Sequence, residues 1–448
     1  MQAKGPQVPQ AATQGPDTKA PQGTNAAQWA WVEASIWNER MLAALGNGVK
    51  GGKWFSLIDK VYRQGTLQAA WGRVRSNHGA AGVDRQSVAA FERHAEAYLA
   101  ELGQELEQER YQAQPIRRVE IPKGPHQTRP LGIPVVKDRI VQTAVKMVIE
   151  PIFEAMFMES SYGFRPQRSA HDALREVDRL LKQGYTHVVD ADLVSYFDTI
   201  PHERLRSIVR EKISDGRVLA LIDAWLGQDI VSEARRWTPT GGTPQGAVLS
   251  PLLANLYLHP LDKRLAERGW HMVRYADDFV VLCVSAAQAQ EALAEIRTWI
   301  EANGLQLHPE KTHVGDCREQ GQGFEFLGYR FEAGRRWVRK KSMHRLRERV
   351  REETRRTCGQ SLTKVIASLN PVLRGWFNYF KHAHRSTFAN VDGFVRRRLR
   401  ALLCKQRKRP GHGHTLTDHQ RWPNVFFADH GLFTLHAAHA LASQSRCK

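Results

Sequence analysis

A chain of 448 residues is too long for one ordinary hydrophobic core, and its 42% hydrophobic content is enough for two or three globular domains. A formal charge of +19 and a pI near 9.9 exclude the charge balance of a typical cytosolic enzyme and imply an acidic partner, nucleic acid being the simplest. Five scattered cysteines (283, 317, 358, 404 and 447), never spaced C-x-x-C, argue against a disulfide framework or a cysteine-built zinc site and suit a reducing compartment. The start has no apolar signal core and no run approaches the roughly 20 apolar residues of a bilayer span, so the expectation is a soluble cytoplasmic protein without membrane contact.

Residues 1–25, rich in Gln, Pro, Ala and Gly, have little to bury and read as a flexible tail. Helix-like spacing of Trp29, Trp31, Ile36, Trp37 and Met41 follows, broken by "GNGVKGG". "SVAAFERHAEAYLAELGQELEQERY" predicts a helix, and the Pro/Gly-punctuated "PIRRVEIPKGPHQTRPLGIPVV" predicts short strands around a loop. "KDRIVQTAVKMVIEPIFEAMF" is a long helix signal, "THVVDADLVSYFDTI" alternates like a strand, and "GTPQGAVLSPLLANLYLHPLDKRLAER" turns into a helix. Beyond about residue 335 the texture becomes basic: residues 335–356 hold eleven Lys/Arg against three Glu, and 396–409 hold no acid. No repeat of solenoid length is present.

"HMVRYADDFVVLCV" (271–284) sets Asp277 and Asp278 between two apolar stretches. Two neighbouring carboxylates in such a frame repel and resist desolvation, so packing alone does not explain them. Successive strand residues face opposite sides, so both acids can meet one point only at a tight turn, with "MVRY" and "FVVLCV" as hairpin strands. Asp192, in "VVDADLVSYFD", is a third carboxylate that a neighbouring strand could bring to the hairpin. Three hard oxygen donors select a hard divalent cation such as Mg²⁺, and two such ions about 4 Å apart are the usual clamp for in-line phosphoryl transfer. The plain alternative, acids capping a hairpin in solvent, accounts for one Asp better than for two.

"YADD" (275–278), "DADLVSYFD" (190–198), "GTPQGAVLSPLLANLYL" (242–258) and "EFLGYRF" (325–331) resemble successive blocks of reverse transcriptases. "RRVEIPKG…RPLGIPVVKDRIVQ", "SYGFRPQRSAHDAL" and "LNPVLRGWFNYF" resemble the bacterial group II intron type, and the likeness runs from about Trp29 nearly to the C-terminus. The resemblance implies an α+β right-hand polymerase, fingers and palm with an antiparallel sheet, followed by a helical thumb or maturase X domain. The corresponding division is an N-terminal extension (26–105), fingers (106–185), palm (186–334), thumb (335–405) and a basic C-terminal segment (406–448) with no endonuclease domain.

By the same resemblance two Mg²⁺ ions would be held by Asp192, Asp277 and Asp278 with the main-chain carbonyl of Leu193. Lys123 and Arg129 would grip the incoming dNTP triphosphate; the family's further Lys near Gln127 or Thr128 is absent, so one contact is missing or supplied elsewhere. Phe197, five residues after Asp192, matches the ring that leaves no room for a 2′-hydroxyl, with a simple core Phe as the alternative. Gln245 in "TPQG" matches a residue near the nascent base pair, although a Gln in a turn is commonplace. Lys311 in "LHPEKTHVG" could give a proton to departing pyrophosphate, against the default of a surface Lys.

The basic runs interleave Arg and Lys with Trp337, Leu346, Val350, Leu399 and Leu402, as helices with one buried and one phosphate-facing side would. Arg339, Lys340, Lys341, Arg345, Arg374, Arg396, Arg397 and Arg398 are the candidates for RNA contact; a solvated charged face is the alternative. Trp376 and Tyr379 read as core more than as base-stacking rings. The histidines of "GHGHT" and "HAHR" lack the partners of a closed metal site and read as RNA contacts or solvent-facing groups.

The expected protein binds its group II intron RNA, assists splicing and copies an RNA template from a DNA primer, at a target DNA whose primer comes from elsewhere, such as a replication fork. A homodimer is left open. A splicing-only RNA-binding maturase and a host-adopted reverse transcriptase in defence or repair are the competing readings.

Overall fold

The computed structural model describes residues 26–124 and 127–444, so the proposed tail 1–25 and Cys447 lie outside the described residues. Eleven strands among them form three sheets: β1 (Ile116–Gly124), β2 (Gln127–Ile133), β4 (Ile230–Val231) and β5 (Arg236–Trp237) make one, in the order β2-β1-β4-β5. β3 (His187–Ala191), β6 (His271–Tyr275), β7 (Asp278–Cys283) and β8 (His313–Asp316) make the second, β6-β7-β3-β8, antiparallel throughout. β9 (Phe324–Phe326), β10 (Tyr329–Glu332) and β11 (Arg335–Val338) make the third. β4 and β5 arise within the 186–334 span, yet they complete the sheet of β1 and β2.

"FVVLCV" lacks polar alternation because both faces of the second sheet are covered. Phe279, Val281 and Cys283 pack into one core with Val189, Ala191 and Met272, whereas Val280 and Leu282 pack into another with Val188 and Val273. These sets follow the period-two alternation of a strand. The first core is built around the helix Val136–Glu154, buried along most of its length together with the polar groups Asp138, Arg139, Gln142, Thr143 and Glu150. Trp37 reaches it from the N-terminal region, its indole N–H donating to Met147 O at 3.2 Å.

The second core joins the sheet to the helix Ala170–Lys182, to β9–β11 and to the C-terminal helices. Helices Lys340–Glu353, Leu362–Phe380 and Ser386–Gln406 bury Leu346, Val350, Leu369, Leu373, Phe388, Val395 and Leu399 in it. Residues beyond 405 add Trp422, Phe427, Leu432 and Leu435, and Asp392 accepts the Leu435 and His436 amides (3.0 Å each) at the start of the helix Leu435–Gln444. Among the described residues no helix is long and apolar enough to cross a membrane, and Cys283, Cys317, Cys358 and Cys404 are unpaired thiols.

Candidate active site

β6 and β7 form a hairpin closed by the pair Tyr275 and Asp278, which leaves Ala276 and Asp277 as its two-residue turn. Ala276 takes the left-handed φ of 62° that hairpin turns of this length need, at a cost of about 1–2 kcal/mol for a residue with a Cβ. Ala191 pairs with Phe279 across β3 and β7, so the next positions in that register are Asp192 and Asp278. Asp190, Asp192 and Asp278 thus share one face, with Asp277 at the bend.

The electrostatics follow from that crowding. Burial, then Asp190, Asp277 and Asp192, hold the Asp278 carboxyl up at about 7 even though the Leu327 amide donates to it. Burial raises Asp277 as well, with Asp192 adding to the rise and Arg129 and Arg274 opposing it. Asp190 is also pushed to about 7, by burial first and by Asp192 and Glu325. Asp190 was not among the sequence candidates; its two-residue spacing from Asp192 on one strand is the signal that marks it.

Lys311 brings a cation directly to this cluster. Lys311 Nζ lies 2.5 Å from Asp192 Oδ2, in a pair exposed enough to contribute little stability. Its loop is pinned there by His308 N donating to Asp192 O (2.8 Å) and Val194 N to Gln306 O (2.9 Å). This bridge between Leu193 and Leu307 uses neighbouring amides and carbonyls, leaving the Leu193 carbonyl out of its hydrogen bonds. Among the described residues no group of three or more His, Cys, Asp or Glu is drawn together as a ready metal cage. The donor set nevertheless fits a hard cation: adjacent carboxylates destabilised by one another's charge, with an ammonium already against one of them.

Arg129 and Gln245 meet, Arg129 Nε donating to Gln245 Oε1 at 2.6 Å, and Gln245 O accepts the Gly132 amide at 2.6 Å. The "TPQG" turn is therefore docked on β2, and the Arg129 charge reaches Asp198 and Asp277. The Lys123 side chain lies outside the described residues. Phe197 is buried, edge-on to Tyr196 (5.6 Å) and to Phe164 (6.5 Å), and its carbonyl accepts the Thr243 amide at 2.6 Å. Phe164, 48% exposed and 6.4 Å from the Tyr275 ring, is an aromatic at the site that sequence reading did not single out.

The basic candidates divide by what they touch. Lys340, Lys341, Arg345 and Arg374 are exposed, while Arg339 pairs with Glu325 at 3.5 Å. Arg396 is half-buried. Arg397 lies over the Phe394 ring (5.3 Å) together with Arg347 (5.9 Å) and Arg351 (5.6 Å), three guanidiniums around one ring. Arg398 instead donates to Thr354 Oγ1 (3.0 Å) and O (2.9 Å), so these donors close a helix end rather than face outward as expected. Tyr379 and Trp376 are half-buried, Tyr379 Oη donating to Leu327 O at 2.9 Å. In "GHGHT", His412 and His414 receive the guanidiniums of Arg356 (3.1 Å) and Arg397 (3.2 Å).

A carboxylate-bearing hairpin on an antiparallel sheet, with the bonded pair Arg129 and Gln245 nearby and basic helices beyond it, is the arrangement of a polymerase of the reverse transcriptase class. Residues 121–331 match the family described as "Reverse transcriptase (RNA-dependent DNA polymerase)", and residues 343–422 match "Group II intron, maturase-specific domain". Protein YkfC of Escherichia coli is 35% identical over 327 residues, 64% of this chain and 84% of that protein. An uncharacterized 91 kDa protein in the cob intron of Schizosaccharomyces pombe is 28% identical over 65% of this chain and 46% of its own length. Group II intron-encoded protein LtrA of Lactococcus lactis is 38% identical over 43% of this chain and 32% of its own length. This chain therefore spans most of the first relative and less than half of the other two. It belongs to the group II intron reverse transcriptase and maturase family, whose polymerase domain generally works with Mg²⁺.

Proposed function

We propose that this chain binds group II intron RNA through its C-terminal helical domain, assists splicing, and copies an RNA template into DNA from a primer 3′-hydroxyl. The observation that supports the catalytic half is the β3–β7 register, whose last pair, Ala191 and Phe279, leaves Asp192 and Asp278 as the next residues of the two strands, with Asp277 at the adjoining bend. Asp192, Asp277 and Asp278, with the Leu193 carbonyl, would hold two Mg²⁺ ions. Bound there, they would supply an activated primer hydroxyl and charge stabilisation for leaving pyrophosphate.

The chain's own residues do the rest. Arg129, held in place by Gln245, receives the dNTP triphosphate together with Lys123, the guanidinium offering a two-pronged grip that an ammonium lacks. Gln245 borders the nascent base pair. Phe197, its ring between Tyr196 and Phe164 and its main chain held by the Thr243 amide, presents a ring where a ribonucleotide would carry its 2′-hydroxyl. Lys311 leaves Asp192 as the site fills and donates a proton to pyrophosphate. Arg345, Arg374, Arg397 and the exposed Lys340 and Lys341 lie along RNA phosphates. Target DNA is the acceptor of the completed reaction.

The test is primer extension on an RNA template in Mg²⁺, comparing the native protein with Asp277→Ala, alongside sequencing of RNA that co-purifies. Synthesis by the native protein, lost in the variant, with intron RNA bound, supports both halves. No synthesis by the native protein makes it a splicing factor, and co-purified RNA that is not an intron removes the maturase half.

A further inference from the structure

Arg274 is a charged residue in an otherwise apolar strand, and it is 0% exposed. Alternation along β6 places it on the face of Met272, opposite to that of Val273 and Tyr275, so it points into the core beneath the turn and away from the shared face of Asp192 and Asp278. Every bond it makes there is accounted for. Nε donates to Asp262 Oδ1 at 2.7 Å and Nη2 to Asp262 Oδ2; Nη1 donates to Asn255 Oδ1 at 2.8 Å and to the carbonyl of Ala276 at 2.9 Å. Asn255 and Asp262 stand seven residues apart on the helix Ser250–Glu267, two turns on one face, and both are buried.

The network extends to a third segment. Asn255 Nδ2 donates to Gly163 O at 2.7 Å, Tyr162 N to Arg274 O at 2.8 Å, and Arg274 N to Ser160 O at 2.8 Å. The guanidinium thereby ties the helix Ser250–Glu267 to the carbonyl of Ala276, the left-handed residue immediately before Asp277, while the main chain of Arg274 and the Asn255 amide hold the segment 160–163 beside it. A buried ion pair is weak evidence for stability, because an apolar replacement of similar size often does as well. What an apolar replacement cannot reproduce is the donor to Ala276.

We infer that Arg274 is a positioning residue: held by Asp262 and Asn255, it fixes the Ala276 carbonyl and through it the placement of the Asp277 and Asp278 carboxylates. This rests on the catalytic reading of those two acids. It touches no reacting atom, and its effect is on the preorganisation of the turn.

The experiment uses the full-length protein with two variants. Arg274→Lys keeps the buried charge for Asp262, but one ammonium cannot serve both carboxylate oxygens, Asn255 and Ala276 in the geometry of the fork. Arg274→Met/Asp262→Leu removes both charges, leaves no unpaired carboxylate, and decides the matter if the lysine variant does not fold. Each folded variant is expected to lose about 10- to 100-fold in kcat, with KM for dNTP within about twofold of native, the range for partners that orient metal-binding groups. Amide hydrogen exchange at Ala276–Asp278 is expected to quicken roughly tenfold while the helix Val136–Glu154 keeps native exchange. Native kcat in a folded variant overturns the inference, and so does a fall in kcat with native exchange at the turn. Asp277→Asn separates the two layers: if it still synthesises DNA, the catalytic reading of the site fails, whatever exchange the Arg274 variants show.

Discussion

Gly163→Ala puts the geometry of the turn to a direct numerical test. A Cβ at Gly163 would lie 2.3 Å from Ala276 N, 2.8 Å from Tyr275 C and 3.1 Å from Ala276 Cα, all of them main-chain atoms. Relief to an ordinary contact requires a displacement of about 1 Å. Neither side yields easily, since the Gly163 carbonyl is held by Asn255 and the neighbouring Tyr162 amide by Arg274. Overpacking of this kind costs about 1–3 kcal/mol of stability. Moving a reacting constellation by about 1 Å costs about 100-fold in rate, or about 2.7 kcal/mol at 1.36 kcal/mol per factor of ten. The assay is single-turnover extension of a primer on RNA, with thermal unfolding measured in parallel. Gly375→Ala and Gly393→Ala are the controls: both glycines sit inside helices with nothing within 4 Å of the added carbon, so stability should rise by roughly 0.5–1 kcal/mol with native turnover. A Gly163→Ala enzyme with native rate and native melting would refute the claim that this segment buttresses the catalytic turn.

Three further outcomes are expected. Replacing Arg347, Arg351 and Arg397 by Ala should lower the slope of log K against log salt for RNA binding by about 2–3, whereas Arg398→Ala should cost about 1 kcal/mol of stability and leave the slope unchanged; equal slopes for all would show that the Phe394 cluster does not meet phosphates. Asp138, 1% exposed and accepting from Tyr111 Oη, the Gln114 amide and Gln228 Nε2, is held at about 6 chiefly by burial. The folded state therefore keeps its proton longer than the unfolded chain, so this group's contribution falls as pH rises from about 4 to 6, by about 3 kcal/mol in all; Asp138→Asn should flatten that part of the melting profile relative to native, and an unaltered pH slope would contradict the assignment. Phe197→Val should admit ribonucleotides, read as a fall in the dNTP/NTP ratio of kcat/KM, and an unchanged ratio would return Phe197 to a plain core residue.

Much of the site is legible in the sequence because its signals are local. Two acids inside an apolar frame require a turn at or near Ala276, Asp277 and Asp278, and the chain makes a hairpin there, with Ala276 and Asp277 in the turn and Asp278 opening the second strand. The basic helices beyond residue 335 were equally plain, since charge along one face and Leu346, Val350 and Leu399 along the other is a periodic pattern. Roles within those runs were not readable: Arg397 and Arg398 are adjacent in sequence, but one lies over Phe394 and the other closes a helix end at Thr354. Gln245 and Arg129 each looked like a separate contact, and their hydrogen bond joins residues 116 positions apart.

By itself, the order of residues determined the long helices, the acidic turn and the basic face, because side-chain periodicity and turn chemistry act over a few residues; the strand expected over "THVVDADLVSYFDTI" ends at Ala191 and gives way to the short helix Tyr196–Thr199. Tertiary structure alone decided that Asp192 and Asp278 come next after the last pair of β3 and β7, that β4 and β5 close the sheet of β1 and β2, and that Arg274 reaches back from Asp262 and Asn255 to Ala276. Those outcomes depend on which surfaces meet across long loops. A strand's pattern states which face is buried, while its partner and its register are settled only when the whole core packs.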